Sequence, residues 1–292
     1  MTGFVHWWQH LPENLDPVLL RIGGFSIQYY GLMYLAAFAV AYLLARSRIR
    51  REPDSGVTDD DLQSLMTAMI LGVLIGGRLG YVVFYNPGYY LRHPAEIILP
   101  FAVDDGWRFT GIAGMSFHGG LIGVVLAAYV VVRRRALDFR RVADLIVPCV
   151  PLGYTFGRIG NFINGELFGR PTTVAWGMIF PGGGPVARHP SQLYEALCEG
   201  LIMFILLWSL RTKPWQPDNR LWPHGSLTAL LLIGYGVMRF LVEFTRQPDP
   251  QVGYILSFFT MGQVLCSVMI IGGLAAWYAL VRSAETQNRL PQ

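Results

Sequence analysis

The sequence predicts an all-α integral membrane protein of about seven transmembrane helices with a small extracytoplasmic subdomain. Three observations carry this. Of 292 residues, 53% are hydrophobic and 14% charged, against roughly 25% charged in a soluble globular domain. Mean hydropathy is +0.39, so the chain cannot cover itself with polar side chains. Its apolar residues also gather into runs close to the ~20 residues that cross a bilayer. A soluble enzyme is excluded, and no nucleic-acid partner is expected despite a net charge of +4.

The elements follow in order. The first basic residue, Arg21, comes after Glu13 and Asp16, so there is no positive region of a cleavable signal peptide. With Trp7, Trp8, Leu19 and Leu20, the opening stretch reads as a segment lying in the membrane interface. Charge-free runs at 22–45, 109–132, 221–238 and 250–281 predict the first, third, sixth and seventh spans. Segments 62–84, 142–160 and 193–210, interrupted or flanked by charge, predict the second, fourth and fifth. Pro, Gly and Arg punctuate the breaks between them. Residues 161–190 are too long and polar for a turn and are read as a head insertion; 86–114 forms another outer connection. No internal repeat is visible, so 1–292 is read as one polytopic domain.

Basic residues orient the spans. All but Lys213 of the 23 are Arg, and they cluster after the first span (Arg46, Arg48, Arg50, Arg51), the third (Arg133, Arg134, Arg135, Arg140, Arg141), the fifth (Arg211, Lys213, Arg220) and in the tail (Arg282, Arg289). With seven spans these share one side. The N-terminus then faces outward and the C-terminus the cytoplasm.

Arg78, Arg158 and Arg239 fall inside apolar segments. Each costs about 2.5–3.5 kcal/mol at a helix centre on insertion scales, so each needs a partner. Given the orientation, all three lie in the outward third of their spans, level with His118 and Tyr30. Tyr235, Arg239 and Glu243 stand at i, i+4 and i+8 and share a helix face. There Glu243 either pairs with Arg239 or orients it toward an anionic ligand. Arg78 lies in the close-packing run Gly72-x-x-x-Gly76-x-x-x-Gly80 and is expected to snorkel or bond backbone carbonyls. The stretch from Gly157 to Arg170 sets Arg158, Asn161, Asn164 and Glu166 among four glycines where a helix leaves the membrane. Glycine admits close backbone approach, and Arg supplies a planar fork for phosphate.

His118, at the head of His118-Gly119-Gly120-Leu121-Ile122-Gly123, is either a satisfied structural histidine or a general base. No second His stands at ligand spacing, so no metal is expected. The run His189-Pro190-Ser191-Gln192-Leu193-Tyr194-Glu195 reads as helix entry rather than a Ser nucleophile. Asp144 is expected to cap the fourth span. Cys149, Cys198 and Cys266 lie in apolar runs without CxxC spacing, which disfavours a disulfide framework or zinc site.

These motifs together resemble the bacterial phosphatidylglycerol:prolipoprotein diacylglyceryl transferases. The resemblance rests on Gly157–Gly169, Tyr30-Gly31-Leu32-Met33-Tyr34, Gly76-Gly77-Arg78, the His118 run, His189–Glu195 and Glu243-Phe244-x-Arg246-Gln247-Pro248-Asp249, in family order along most of the chain. It implies transfer of a diacylglyceryl group from phosphatidylglycerol to the lipobox cysteine of a preprolipoprotein signal peptide. The implied setting is the bacterial inner membrane, with membrane lipids around an outward-facing site and no cofactor. It places catalytic roles on His118, Tyr235, Arg239 and Tyr30, and phosphatidylglycerol binding on Arg158, Asn161, Glu166, Gly169, Arg239 and Glu243. A non-enzymatic anion or lipid transporter also lines its path with arginines. It would show polar groups through both leaflets and repeated halves, which this sequence lacks. An intramembrane protease would need a paired Asp or a Ser/His couple at membrane depth.

Overall fold

The computed structural model describes residues 2–23, 25–51, 55–98, 101–102, 108–109, 114–216, 220–247, 254–255 and 259–287. Arg289, Pro248 and Asp249 lie outside them. Among the described residues, seven helices are long and apolar enough to cross a membrane: α1 (Tyr29–Arg51), α2 (Asp59–Tyr85), α3 (Phe117–Arg134), α4 (Phe139–Ile163), α5 (Ser191–Trp215), α6 (Ser226–Thr245) and α7 (Met261–Thr286). Side chains such as Leu35, Leu43, Val268 and Ile271 stay exposed on them, as a lipid-facing surface requires. The protein is an all-α multi-pass membrane protein.

Four spans open later than the apolar runs predict, and local chemistry explains each. Val18–Ile22 pairs antiparallel with Phe25–Gln28, so the first run begins as a hairpin, turned at Gly23 (φ +59°). At α3, the Ser116 side chain accepts from the Gly119 N–H at 3.2 Å, which caps the helix at Phe117. Gly225, at φ +104°, stops the chain immediately before α6. At α7, Thr260 N–H donates to Gln263 Oε1 (3.0 Å) while Gln263 N–H donates to Thr260 Oγ1 (3.2 Å), a reciprocal cap. Apolar content alone marks none of these starts.

The chain forms two compact units, Met1–Ser55 with Ala143–Gln292, and Gly56–Val142. In the second, α2 and α3 pack through glycines. A Cβ on Gly72 would lie 2.5 Å from the Gly123 carbonyl oxygen, and one on Gly80 2.7 Å from Gly119 Cα. Arg78 donates to the carbonyls of Ile97 (2.9 Å), Glu96 (2.5 Å) and Gly114 (3.4 Å) and covers the Tyr90 ring. The backbone-bonding expectation for it holds.

In the first unit, α4 lies against α1, with Gly153 close to the Ala37 carbonyl and Gly160 against Tyr30 and Met33. Asp144 departs from expectation. It is fully buried and caps α6 rather than its own helix, accepting from Gly225 N–H (2.7 Å), Thr228 N–H (3.0 Å) and the Thr228 hydroxyl (3.0 Å). Neighbouring backbone binds Arg48, which donates to the carbonyls of Asp144 and Leu145, both at 2.7 Å, and of Arg211 at 2.8 Å. Between α4 and α5 the head insertion gathers Phe162, Met178 and Phe180 into a small core, covered by Trp8, Leu11 and Leu15 of the N-terminal segment. Phe4 and Trp7 of that segment remain exposed.

Candidate functional site

The site grows from an irregular stretch of α5. After Glu195 the helix widens into a π-helical turn over Ala196–Ile202, an irregularity frequent at functional sites. Gly200 brings this turn onto α4, where a Cβ would meet Thr155, and Thr155 Oγ1 donates to the Ala196 carbonyl at 3.3 Å. Glu195 and Glu199 are thereby held almost fully buried.

Three arginines meet them. Glu195 Oε2 lies 2.8 Å from Arg158 Nε of α4, and its Oε1 lies 3.1 Å from Arg239 Nη1 of α6. Arg246, just past α6, donates to the same Oε1. Arg239 also stands 3.6 Å from Glu199 and 3.1 Å from Glu243, and Arg246 Nε lies 3.1 Å from Glu243. Tyr154 donates its hydroxyl to Glu199 at 2.6 Å, and its ring lies under the Arg158 guanidinium and edge-on to Tyr235. Thr260 donates to Glu243 at 3.0 Å. Three guanidiniums and three carboxylates thus balance one another away from water.

A second chain of polar contacts leads away from this cluster along the end of α4. Arg158 Nη1 donates to Asn161 Oδ1 (3.2 Å), and the Asn161 amide donates to Glu166 Oε1 (2.7 Å). The backbone turns back at Gly165 and at Leu167, both with positive φ. Gln192 and Ser191 then tie the carbonyls of Glu166 (2.6 Å) and Leu167 (3.0 Å) to the start of α5, so that run serves helix entry as expected. Gly169 sits where a Cβ would lie 2.9 Å from both Cβ and O of His189, so only glycine fits. Beside it, partial burial and Arg170 lower the His189 pKa below the usual histidine value.

The structure therefore brings Arg158, Asn161, Glu166, Gly169, Tyr235, Arg239 and Glu243 into one unit. Tyr30 is at the same end, its ring against Gly160 and its hydroxyl 3.0 Å from that of Tyr34. A shallow cleft of about 400 Å³ beside it is lined by Ser26, Gln28, Gly31 and Leu35. His118 belongs to the other unit, exposed in the first turn of α3. Of the two alternatives for Glu243, the geometry shows the pairing with Arg239 at 3.1 Å, and the same arginine also reaches Glu195 and Glu199. Sequence reasoning missed Glu195, Glu199, Tyr154 and Arg246. Two carboxylates one helical turn apart in an apolar span, level with the arginines, were the available signal.

The prolipoprotein diacylglyceryl transferase family model matches residues 17–279. The chain belongs to that family. It is 50% identical over 280 residues to the phosphatidylglycerol–prolipoprotein diacylglyceryl transferase of Chlorobaculum tepidum, covering 94% of this chain and 93% of that one. The enzyme of the same name from Desulfotalea psychrophila is 48% identical over 276 residues (94% and 97% covered). That of Bordetella avium is 48% identical over 275 residues (94% and 98%). Membership therefore extends over the whole transferase, and the carboxylate–guanidinium cluster lies inside the matched region.

Proposed function

We propose that this membrane enzyme transfers the diacylglyceryl group of phosphatidylglycerol to the thiol of a preprolipoprotein's lipobox cysteine, a step of lipoprotein biosynthesis. The observation that carries the proposal is the near-full-length identity to enzymes bearing that name. The site supports it chemically. A thiolate sulfur attacks the glycerol carbon that bears the phosphate ester; the C–S bond forms, the C–O bond breaks, and its electron pair leaves with glycerol phosphate. Negative charge grows on the departing phosphate, and arginines in a low-dielectric site stabilise such charge most in the transition state.

Arg158 and Arg239 are assigned to the phosphate, with Asn161, Glu166, Gly169 and Glu243 shaping the lipid site. Tyr30 and Tyr235 line the reacting region. His118 takes the thiol proton, since a free cysteine thiol with pKa near 8.5 is mostly protonated at neutral pH. The distribution of basic residues supports an outward N-terminus, a cytoplasmic C-terminus and a site opening toward the periplasmic leaflet of the inner membrane. Residues 161–190 form a periplasmic head and 86–114 a periplasmic connection within a single polytopic domain.

The test is direct. Purified protein incubated with phosphatidylglycerol labelled in its diacylglyceryl group and a lipobox peptide should yield labelled peptide, carrying a thioether, together with free, unlabelled glycerol phosphate. An unlabelled peptide, under conditions where a Chlorobaculum tepidum enzyme control labels it, overturns the proposal.

A further inference from the structure

Arg158 and Arg239 come from different helices, α4 and α6, yet both are assigned to one phosphate. Something must fix the distance between them. Glu195, on α5, touches both, giving Oε2 to Arg158 and Oε1 to Arg239 and Arg246. Its own placement is secured twice, by the π-helical turn that follows it and by the α4 contact at Gly200. The grip on Arg239 is also loose in direction. Arg239 Nη1 and Glu199 Oε1 are buried but make no aligned hydrogen bond, although charges of opposite sign surround them. A guanidinium held by charge rather than by directed bonds retains N–H groups for an arriving phosphate oxygen.

We propose that Glu195 is a positioning residue for the transfer reaction: its carboxylate sets the spacing of Arg158 and Arg239 so that both meet the phosphate in the transition state. This rests on the transfer chemistry proposed above. Glu195 neither touches substrate nor moves a proton. It also keeps the resting cluster neutral, so the arginines are stable in the membrane before lipid arrives. Asn161 holds Arg158 from the other side and Glu243 holds Arg239, so removing Glu195 loosens the spacing between the two arginines rather than releasing either.

The test measures kcat and KM for phosphatidylglycerol in wild type, Glu195→Gln and Glu195→Asp, each scaled to the folded, monodisperse fraction. Glu195→Gln should lower kcat by about 100-fold, the cost of ~1 Å misplacement. KM should be unchanged or lower, because one guanidinium is left in excess. Glu195→Asp, which keeps the charge at shorter reach, should recover part of kcat. A merely structural role predicts fewer folded molecules with wild-type kcat and KM. Should Glu195→Gln fail to fold, Glu195→Gln/Arg246→Gln removes one charge of each sign and keeps the balance; the same fall in kcat is expected. A folded variant with kcat within about threefold of wild type overturns the positioning role while leaving the transferase intact. Absence of transfer by wild type overturns both.

Discussion

Half-buried arginines are held in two ways in this molecule. In the α2–α3 unit, Arg78 donates to the carbonyls of Ile97, Glu96 and Gly114, fastening the connection beyond α2 to the helix. In the α1/α4–α7 unit, Arg158 and Arg239 lie on carboxylates shared with each other and with Arg246. Carbonyls belong to the backbone, so exchanging them for a ligand means unfolding a turn. Carboxylates sit on side chains and form a balanced set that a phosphate can join. On the proposed assignment, an anion binding there would rearrange partners without breaking secondary structure, which would separate an arginine that holds the fold from one assigned to chemistry.

The same division sets the expected size of each perturbation. His118 is the member of the α2–α3 unit to which chemistry is assigned, and it is the place where the comparison breaks first. His118→Gln should slow transfer by about 10²–10⁴-fold, the range for a lost general base. The defect should narrow as pH rises toward the thiol pKa near 8.5, where solvent supplies the thiolate. A pH–rate profile that stays parallel to wild type, together with weakened lipid binding, would make His118 a lipid contact, leaving the cluster unit to supply its own base.

Next come Arg158→Lys and Arg239→Lys. Lysine keeps the positive charge, so the three carboxylates are not orphaned and the 3–5 kcal/mol cost of breaking a buried ion pair is avoided. What disappears is the fork that takes two phosphate oxygens together. Transfer should fall by about 10²–10³-fold, as when a preorganised donor to developing charge is lost, with thermal midpoint near wild type. Retained turnover in either variant would show that the phosphate needs only a point charge.

The parts legible in the sequence are those whose cost is local. Seven spans follow from composition, and Arg78, Arg158 and Arg239 stand out because a lone charge in an apolar run demands compensation. The glycine contacts of α2 with α3 follow from their four-residue spacing. What stayed hidden depends on distant partners. Asp144 looks like the cap of its own helix, since nothing local says that the α6 N-terminus, about 80 residues on, will arrive beside it. Glu195 hides in a run that reads as helix entry, and its meaning appears only when α4, α5 and α6 close around it. The start of α1 is not legible in the sequence because Ile22 and Phe25 are as apolar in a hairpin as in a helix.

The smallest effect on rate is the sharpest probe of the comparison, because it repeats the lysine exchange in the other setting. Arg78→Lys retains the charge and the aliphatic stem that reaches the Tyr90 ring, yet an ammonium cannot span the Ile97, Glu96 and Gly114 carbonyls as the guanidinium does. Leaving one or two of these oxygens unsatisfied should cost about 1–3 kcal/mol. The loss should appear as a lower thermal midpoint and faster proteolysis of the connection after α2. Transfer per folded molecule should remain within about threefold of wild type, for Arg78 is assigned no part in the phosphate chemistry. Measured side by side, Arg→Lys at 158 or 239 should strike rate and spare stability, and at 78 should strike stability and spare rate. A large fall in kcat for Arg78→Lys at full stability would erase the distinction, because a carbonyl-held arginine would then be taking part in the reaction.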